Sequence, residues 1–103
     1  MSTSLKNKKG IQKAFRSLLE PASMEEKLEL ETVILSARFL SAIEQVCQSR
    51  NILKKDLAQM IGTSPSYITQ LFRGNKIINL ETIARMQLAL NIEFEINLGG
   101  ETP

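Results

Sequence analysis

The sequence contains no histidine, a single cysteine and a single tyrosine. The lack of histidine excludes Ser-His triads, histidine general bases and Cys-His metal sites. No glycine-rich phosphate-binding loop of the G-x-G-x-x-G or G-x-x-x-x-G-K-S/T type occurs. The carboxylates are scattered, and none lies in an apolar run of the kind that surrounds a catalytic acid. We therefore expect a protein that is not an enzyme and that needs no metal or cofactor.

Long apolar segments are also missing. No run reaches the roughly 18 apolar residues of a transmembrane helix, and no apolar signal segment follows the basic N-terminus. A single cysteine cannot form an internal disulfide, which fits a reducing compartment. We interpret Cys47 as a buried small apolar residue rather than a reactive thiol. A cytoplasmic protein with no membrane partner is expected.

The 103 residues suffice for one small domain with short extensions, and a core of this size gains stability from dimerisation. The net charge of +2 is unevenly distributed along the chain. Residues 1–16 carry five Lys or Arg and no acid, whereas residues 24–31 carry four Glu against one Lys. Residues 50–76 hold five Lys or Arg against Asp56, and this central positive block favours a nucleic-acid partner.

Hydrophobic periodicity predicts two helices in the first half of the chain. The first spans residues 11–20 and ends at Pro21, because proline cannot continue a helix. Ser23 then offers an N-cap, and Glu26 three residues later completes a capping box. The second helix is predicted over residues 24–50.

Two short helices follow, over residues 54–61 and 65–73. Gly62 is a good C-cap for the first, and Gly74 for the second. Ser64 is the predicted N-cap of the second helix, which has a proline at its first position. Two helices joined by a three-residue turn that contains glycine form a helix-turn-helix motif.

The last helix is predicted after the N-cap Asn79, over LETIARMQLAL, and the period then changes. Apolar and polar residues alternate over residues 92–98, which predicts a β-strand with one buried face. Its apolar residues are Ile92, Phe94, Ile96 and Leu98. Because the chain offers no second strand, we expect pairing with a second copy or with an edge strand of another protein. The alternative is an extended tail that lies on the domain.

The segment KKDLAQMIGTSPSYITQLFRGNKIINLETIARMQLALNI resembles the helix-turn-helix domain of Cro and phage-repressor-type regulators, the xenobiotic-response-element-like family. The matching positions are Leu57, Ala58, Gly62, Ser64, Ile68, Leu71, Gly74, Leu80, Glu81, Thr82, Ile83, Ala89 and Leu90. The resemblance covers residues 36–92 and implies a lambda-repressor-like fold. It also implies a transcriptional repressor that binds double-stranded DNA sequence-specifically, as a homodimer on a palindromic operator.

The expected fold is therefore all-α, a compact helix-turn-helix bundle with an N-terminal helical extension and a short C-terminal β-strand. Three segments are predicted. Residues 1–31 form the extension, residues 32–91 the DNA-binding domain, and residues 92–103 the strand and tail.

Four side chains at the front of the second short helix are the predicted base contacts, because in such a motif this helix enters the major groove. They are Ser66, Tyr67, Thr69 and Gln70. Gln70 is the foremost candidate, since a glutamine can bind adenine at two points. Tyr67 has an alternative role in packing over the turn, and Thr69 faces either the groove or a phosphate.

Seven further residues are predicted to contact DNA phosphates from the turn and the basic flanks. They are Lys54, Lys55, Thr63, Ser64, Arg73, Asn75 and Lys76. For any one of these cations, the alternative is a solvated surface position. The sequence departs from the family at Leu53, where Ser or Thr is common as the N-cap. This departure predicts a looser start of the first short helix.

The extensions around the domain are loosely similar in plan to those of HigA-like antitoxins, which are regulators encoded beside small toxins. Three functions remain open: a homodimeric DNA-binding repressor, an antitoxin that also binds a toxin protein, and a protein-interaction module without DNA binding. The homodimer is expected to form through either the C-terminal strand or the long helix.

Overall fold

The computed structural model describes residues 23–100, and its contacts divide the chain between Glu31 and Thr32. The predicted helix over residues 11–20 lies outside the described residues. Four helices are present in the described part: α1 (Met24–Ser49), α2 (Lys54–Ile61), α3 (Pro65–Phe72) and α4 (Leu80–Leu90). The expected all-helical architecture is confirmed for these residues.

The start of α1 follows the predicted capping signal. The Glu26 N–H donates to Ser23 Oγ at 3.2 Å, and the Lys27 N–H donates to the Ser23 carbonyl at 2.9 Å. Glu25 and Glu26 lie in the first turn, where the helix dipole favours negative charge. Sequence signals within four residues thus account for this helix end.

Beyond Thr32, α1 buries one stripe of side chains at helical spacing: Ser36, Leu40, Ile43 and Cys47. The helix ends at Ser49, and the Ile52 N–H returns to the Cys47 carbonyl at 2.8 Å. Asn51 takes a left-handed φ of 56° in between, which is typical of a helix C-terminus. The chain thereby turns from α1 into the helix-turn-helix.

The turn between α2 and α3 is closed by its own hydrogen bonds. Gly62 has a φ of 74°, and the Thr63 N–H donates to the Ala58 carbonyl at 2.9 Å. Ser64 Oγ accepts the Tyr67 N–H at 3.1 Å, and Pro65 occupies the first position of α3. The predicted C-cap, N-cap and proline start are therefore all present, although α3 ends at Phe72, one residue earlier than expected.

A single core joins the described helices from Thr32 onward. Its fully buried large side chains are Ile43, Leu57, Ile68, Leu71, Met86 and Leu90. Burial of each such side chain contributes about 1.5 to 3 kcal/mol. The loop before α4 is fixed to α1, because the Ile78 N–H donates to the buried Ser36 Oγ at 3.0 Å. The core therefore supports α3 from the side opposite its exposed face.

The predicted β-strand over residues 92–98 is wrong: no strand occurs among residues 23–100. The segment leaves α4 through Asn91, and the Phe94 N–H donates to Gln87 Oε1 at 2.8 Å instead of entering a ladder. The Phe94 ring meets Phe39 of α1 edge to face, with centroids 5.1 Å apart. The backbone groups of a strand are paired by a second strand, and here the Gln87 side chain accepts the Phe94 N–H instead.

Candidate nucleic-acid interface

The two faces of α3 have opposite character. Ile68 and Leu71 are completely buried and hold the helix against the core. On the other side, Ser66 is exposed and Gln70 is half-buried, and Gln70 Nε2 lies 3.3 Å from Ser66 Oγ. Residues four apart share a helix face, so these two polar side chains form one outward surface. Their amide and hydroxyl groups can donate to and accept from base edges.

Tyr67 lies at the edge of this surface and packs inward. Its side chain is half-buried, and its hydroxyl is 3.3 Å from Thr82 Oγ1 at the start of α4. The Lys76 ammonium lies 5.5 Å from the centre of the Tyr67 ring. Of the two roles expected for Tyr67, packing over the turn is the one that has contacts within the chain.

Thr69 is half-buried, and its hydroxyl donates to the Pro65 carbonyl at 3.0 Å. Its proton is therefore committed to the helix backbone, and the oxygen keeps acceptor capacity. In a contact with DNA, the Thr69 oxygen would thus accept a hydrogen bond from a donor such as the amino group of a base. The hydroxyl would not donate to a phosphate oxygen.

The start of α2 is closed by an unexpected arrangement. Leu53 offers no side-chain acceptor, but its own N–H donates to Asp56 Oδ2 at 3.3 Å. Lys54 is partly engaged within the protein, because its ammonium is 3.8 Å from Glu44 Oε1 and 5.1 Å from the centre of the Phe72 ring. Lys55 is exposed beside it. Lys55 is thus the freer of the two predicted phosphate ligands.

The remaining cations lie just beyond α3. Arg73, Asn75 and Lys76 are all exposed. Gly74 has a φ of 82°, and the Asn75 N–H donates to the Gln70 carbonyl at 2.9 Å, which reverses the chain at the helix end. The turn before α3 holds the other predicted pair: Thr63 is half-buried, and the exposed Ser64 keeps its hydroxyl proton while its oxygen accepts from Tyr67. The polar and basic groups thus flank α3 at both ends.

Sequence reasoning missed Arg85 on α4. Its Nη1 donates to the Ile61 carbonyl at 3.0 Å, and its Nη2 pairs with Glu81 Oε1 at 3.1 Å. The spacing of Glu81 and Arg85 predicts their ion pair, since charges four apart meet on a helix. No sequence signal gives the contact to Ile61, which lies 24 positions earlier.

Cys47 is buried, as the sequence predicted. Burial raises the pKa of its thiol, and the nearby Arg50 charge opposes that rise without cancelling it. The Arg50 guanidinium donates to the Leu90 carbonyl, which ties the end of α1 to the end of α4. No group of three potential metal ligands occurs among residues 23–100.

A helix-turn-helix family model matches residues 43–97, just over half of the chain. The chain belongs to the XRE/Cro-type helix-turn-helix family. Members of this family bind double-stranded DNA and regulate transcription. The chain is accordingly a DNA-binding regulator of transcription. Searches of curated proteins and of solved structures give no match. Within the described part of this XRE-family regulator, no helix has the length and apolarity required to cross a membrane.

Proposed function

We propose that this regulator is a homodimeric cytoplasmic repressor that reads a palindromic operator with α3 in the major groove. The observation that carries the proposal is the two-sided character of α3. Its buried face is fixed by Ile68 and Leu71, and its outward face presents Ser66 and Gln70. The family membership favours this function over a protein-interaction module without DNA binding.

Base recognition is assigned chiefly to Gln70 and Ser66. The Gln70 amide can donate to N7 and accept from N6 of one adenine, and such a two-point contact discriminates by about 1 to 3 kcal/mol. The hydrogen bond between the two side chains within the protein fixes the amide before DNA arrives. Thr69 and Tyr67 lie at the margin of this surface, so their contacts with bases are expected to contribute less.

Backbone contacts are assigned to both ends of α3. Arg73, Asn75 and Lys76 follow α3, and Thr63 and Ser64 precede it. Lys54 and Lys55 lie at the start of α2, where Lys54 reaches the Phe72 ring at the end of α3. Lys54 is expected to contribute less, because its ammonium also pairs with Glu44. Each phosphate neutralised by a cation releases counterions. Substitution Lys55→Ala should therefore lower the slope of log affinity against log salt by about one.

The proposed dimer uses the apolar end of the tail. Ile96 and Leu98 are 91% and 93% exposed, although both are large apolar side chains. Ile92 and Phe94 pack against the core and hold the start of the tail in place, while Ile96 and Leu98 at its end remain exposed. The alternative interface is α1. In either dimer, two α3 helices should lie about 34 Å apart to reach successive major grooves.

A second candidate function is an antitoxin that binds a toxin protein as well as DNA. It is favoured by large apolar side chains that α1 leaves exposed, among them Val33, Ile34 and Leu35. Large apolar side chains that stay exposed can be covered by a partner protein. Co-purification of a small toxin protein with the full chain, lost on Leu35→Asp, would support this function. A regulator that purifies alone from its native host would argue against it.

The proposed function is tested by selecting bound duplexes from a random DNA pool. The expected result is a sequence with two-fold symmetry, whose half-sites have centres about 10 base pairs apart. A selected sequence without symmetry would contradict the dimeric arrangement. Sedimentation of the chain with Leu98→Asp then locates the interface: a monomer supports the tail, and an unchanged dimer supports α1.

A further inference from the structure

We infer that Arg85 is a positioning residue for DNA recognition: it holds the turn between α2 and α3 in place from α4 and so determines how precisely α3 meets the bases. This inference rests on the proposed recognition role of α3. It concerns a residue that lies on neither helix of the motif and was not among the predicted DNA contacts.

The carbonyl groups at the end of α2 are bound by donors from outside the helix. The last carbonyls of any helix have no partner within the helix. The Ala58 carbonyl accepts from the Thr63 N–H, and the Gln59 carbonyl accepts from the Gly62 N–H. The Ile61 carbonyl accepts from Arg85 Nη1 at 3.0 Å. A side chain of α4 therefore completes the end of α2 at the point where the chain turns.

The Arg85 guanidinium binds two acceptors at once. Its donors form a rigid planar fork, so one arginine can bind two acceptors in fixed directions. Nη1 binds Ile61, and Nη2 binds Glu81 Oε1 at 3.1 Å. The side chains of Arg85 and Glu81 are 51% and 76% exposed, and an ion pair this exposed stabilises little by itself. Its effect is to orient the fork toward Ile61.

A second contact ties α4 to the other side of the turn. The Tyr67 hydroxyl on α3 and Thr82 Oγ1 on α4 are 3.3 Å apart. Thr82 is itself fixed, because its N–H donates to Asn79 Oδ1 at 2.8 Å. The two ties lie on opposite sides of the turn and border one cavity of about 230 Å³. Together they set the orientation of α3 relative to α4, which the core alone fixes only through apolar contacts.

The consequence differs between the two kinds of DNA contact. Two-point base contacts require a side chain at a defined distance and angle, whereas phosphates are bound by long flexible cations. A small shift of α3 should therefore reduce operator affinity and leave affinity for unrelated DNA almost unchanged. A direct phosphate contact by Arg85 would instead reduce both affinities together.

The test measures affinity of the full chain for the selected operator and for an unrelated duplex, by fluorescence anisotropy at several salt concentrations. Arg85→Lys keeps the charge but loses the planar fork, and Arg85→Gln loses both. Glu81→Gln is the matched control, because it removes the ion pair and leaves the donor to Ile61. Thermal unfolding identifies any variant that fails to fold, in which case Arg85→Lys provides the measurement.

Both Arg85 variants are expected to lose about fivefold in operator affinity, the equivalent of one hydrogen bond, with less than a twofold change on the unrelated duplex. Hydrogen exchange at the Gly62 and Thr63 amides, which are hydrogen-bonded in the turn, should become faster in the same variants, and Glu81→Gln should change each quantity less. Unchanged operator affinity would overturn the inference. So would equal losses on both duplexes with a salt slope reduced by about one, the sign of a phosphate contact.

The same series separates this inference from the proposed function. Gln70→Ala is measured beside the Arg85 variants. If Gln70→Ala leaves operator affinity unchanged, the recognition role of α3 fails. If Gln70→Ala weakens binding and the Arg85 variants do not, only the positioning role of Arg85 fails.

Discussion

Helix α3 and the C-terminal tail place similar apolar residues in opposite surroundings. Ile68 and Leu71 of α3 are completely buried, whereas Ile96 and Leu98 of the tail are more than nine-tenths exposed. The difference is one of neighbours: α3 packs with α2 and α4 in one core, while the tail beyond Phe94 has no such partner among the described residues. Residue type alone therefore does not decide burial; the presence of a facing element does.

The largest difference between the two regions should appear on truncation of an isoleucine. Ile68→Ala removes a fully buried side chain from the core and should lower the free energy of unfolding by about 2 to 5 kcal/mol. Ile96→Ala removes an exposed one and should change it by less than about 0.5 kcal/mol. Urea denaturation followed by circular dichroism, at one protein concentration, measures both. Equal losses would show that the tail is buried in solution.

A glycine pair extends the comparison to the backbone. Gly62 in the turn has a left-handed φ of 74°, so Gly62→Ala should destabilise the fold by about 1 to 2 kcal/mol. Gly99 in the tail has no such φ and no neighbouring atom within 4 Å, so Gly99→Ala should be neutral. The measurement is the same urea titration. A neutral Gly62→Ala would mean that the turn does not keep this conformation.

Within the tail, Phe94 and Leu98 should differ by a smaller amount. Phe94→Ala removes the edge-to-face contact with Phe39 and should cost about 1 kcal/mol. Leu98→Ala should have no effect on unfolding of the monomer, although it is expected to weaken the proposed dimer. Thermal unfolding below the concentration of dimerisation distinguishes them. If both variants are neutral, the tail is not anchored on α1.

The smallest expected effect concerns Cys47. Burial raises the pKa of its thiol. The thiol of the folded chain therefore stays protonated at pH values at which the thiol of the unfolded chain has already lost its proton. The resulting stabilisation is fully present below the unfolded pKa and is lost as pH rises through the folded value. As pH rises above about 8.5, the ordinary thiol pKa, wild type should therefore lose more stability than Cys47→Ala, a variant without the thiol. Parallel curves would contradict burial of this thiol.

The same contrast explains which features were predictable from sequence. Helix ends are determined by residues close in sequence, so Ser23, Ser64 and Asn79 were identified as N-caps and Gly62 as a C-cap, and the structure confirms all four. The alternation of residues 92–98 predicts an exposed and a buried face, but a strand also requires a second strand beside it, and none occurs among residues 23–100. Of the four alternating apolar residues, only Ile92 and Phe94 pack against the core.

The site divides in the same way. The exposed face of α3 follows from helical spacing around Ile68 and Leu71, and Ser66 and Gln70 were identified by it. The inward packing of Tyr67 and the bond from Arg85 to Ile61 depend on where α4 crosses the turn. Such contacts join residues 15 and 24 positions apart, and no local spacing encodes them.

The central claim, that α3 reads base edges through Gln70, is tested most directly by one pair of glutamine variants. Gln70→Ala and Gln45→Ala, which lies on the exposed surface of α1, are compared for affinity to the selected operator in a gel-shift titration. The account predicts about a tenfold or greater loss for Gln70→Ala, with relaxed preference at one position of each half-site, and no change for Gln45→Ala. Equal affinity of both variants and wild type would contradict it.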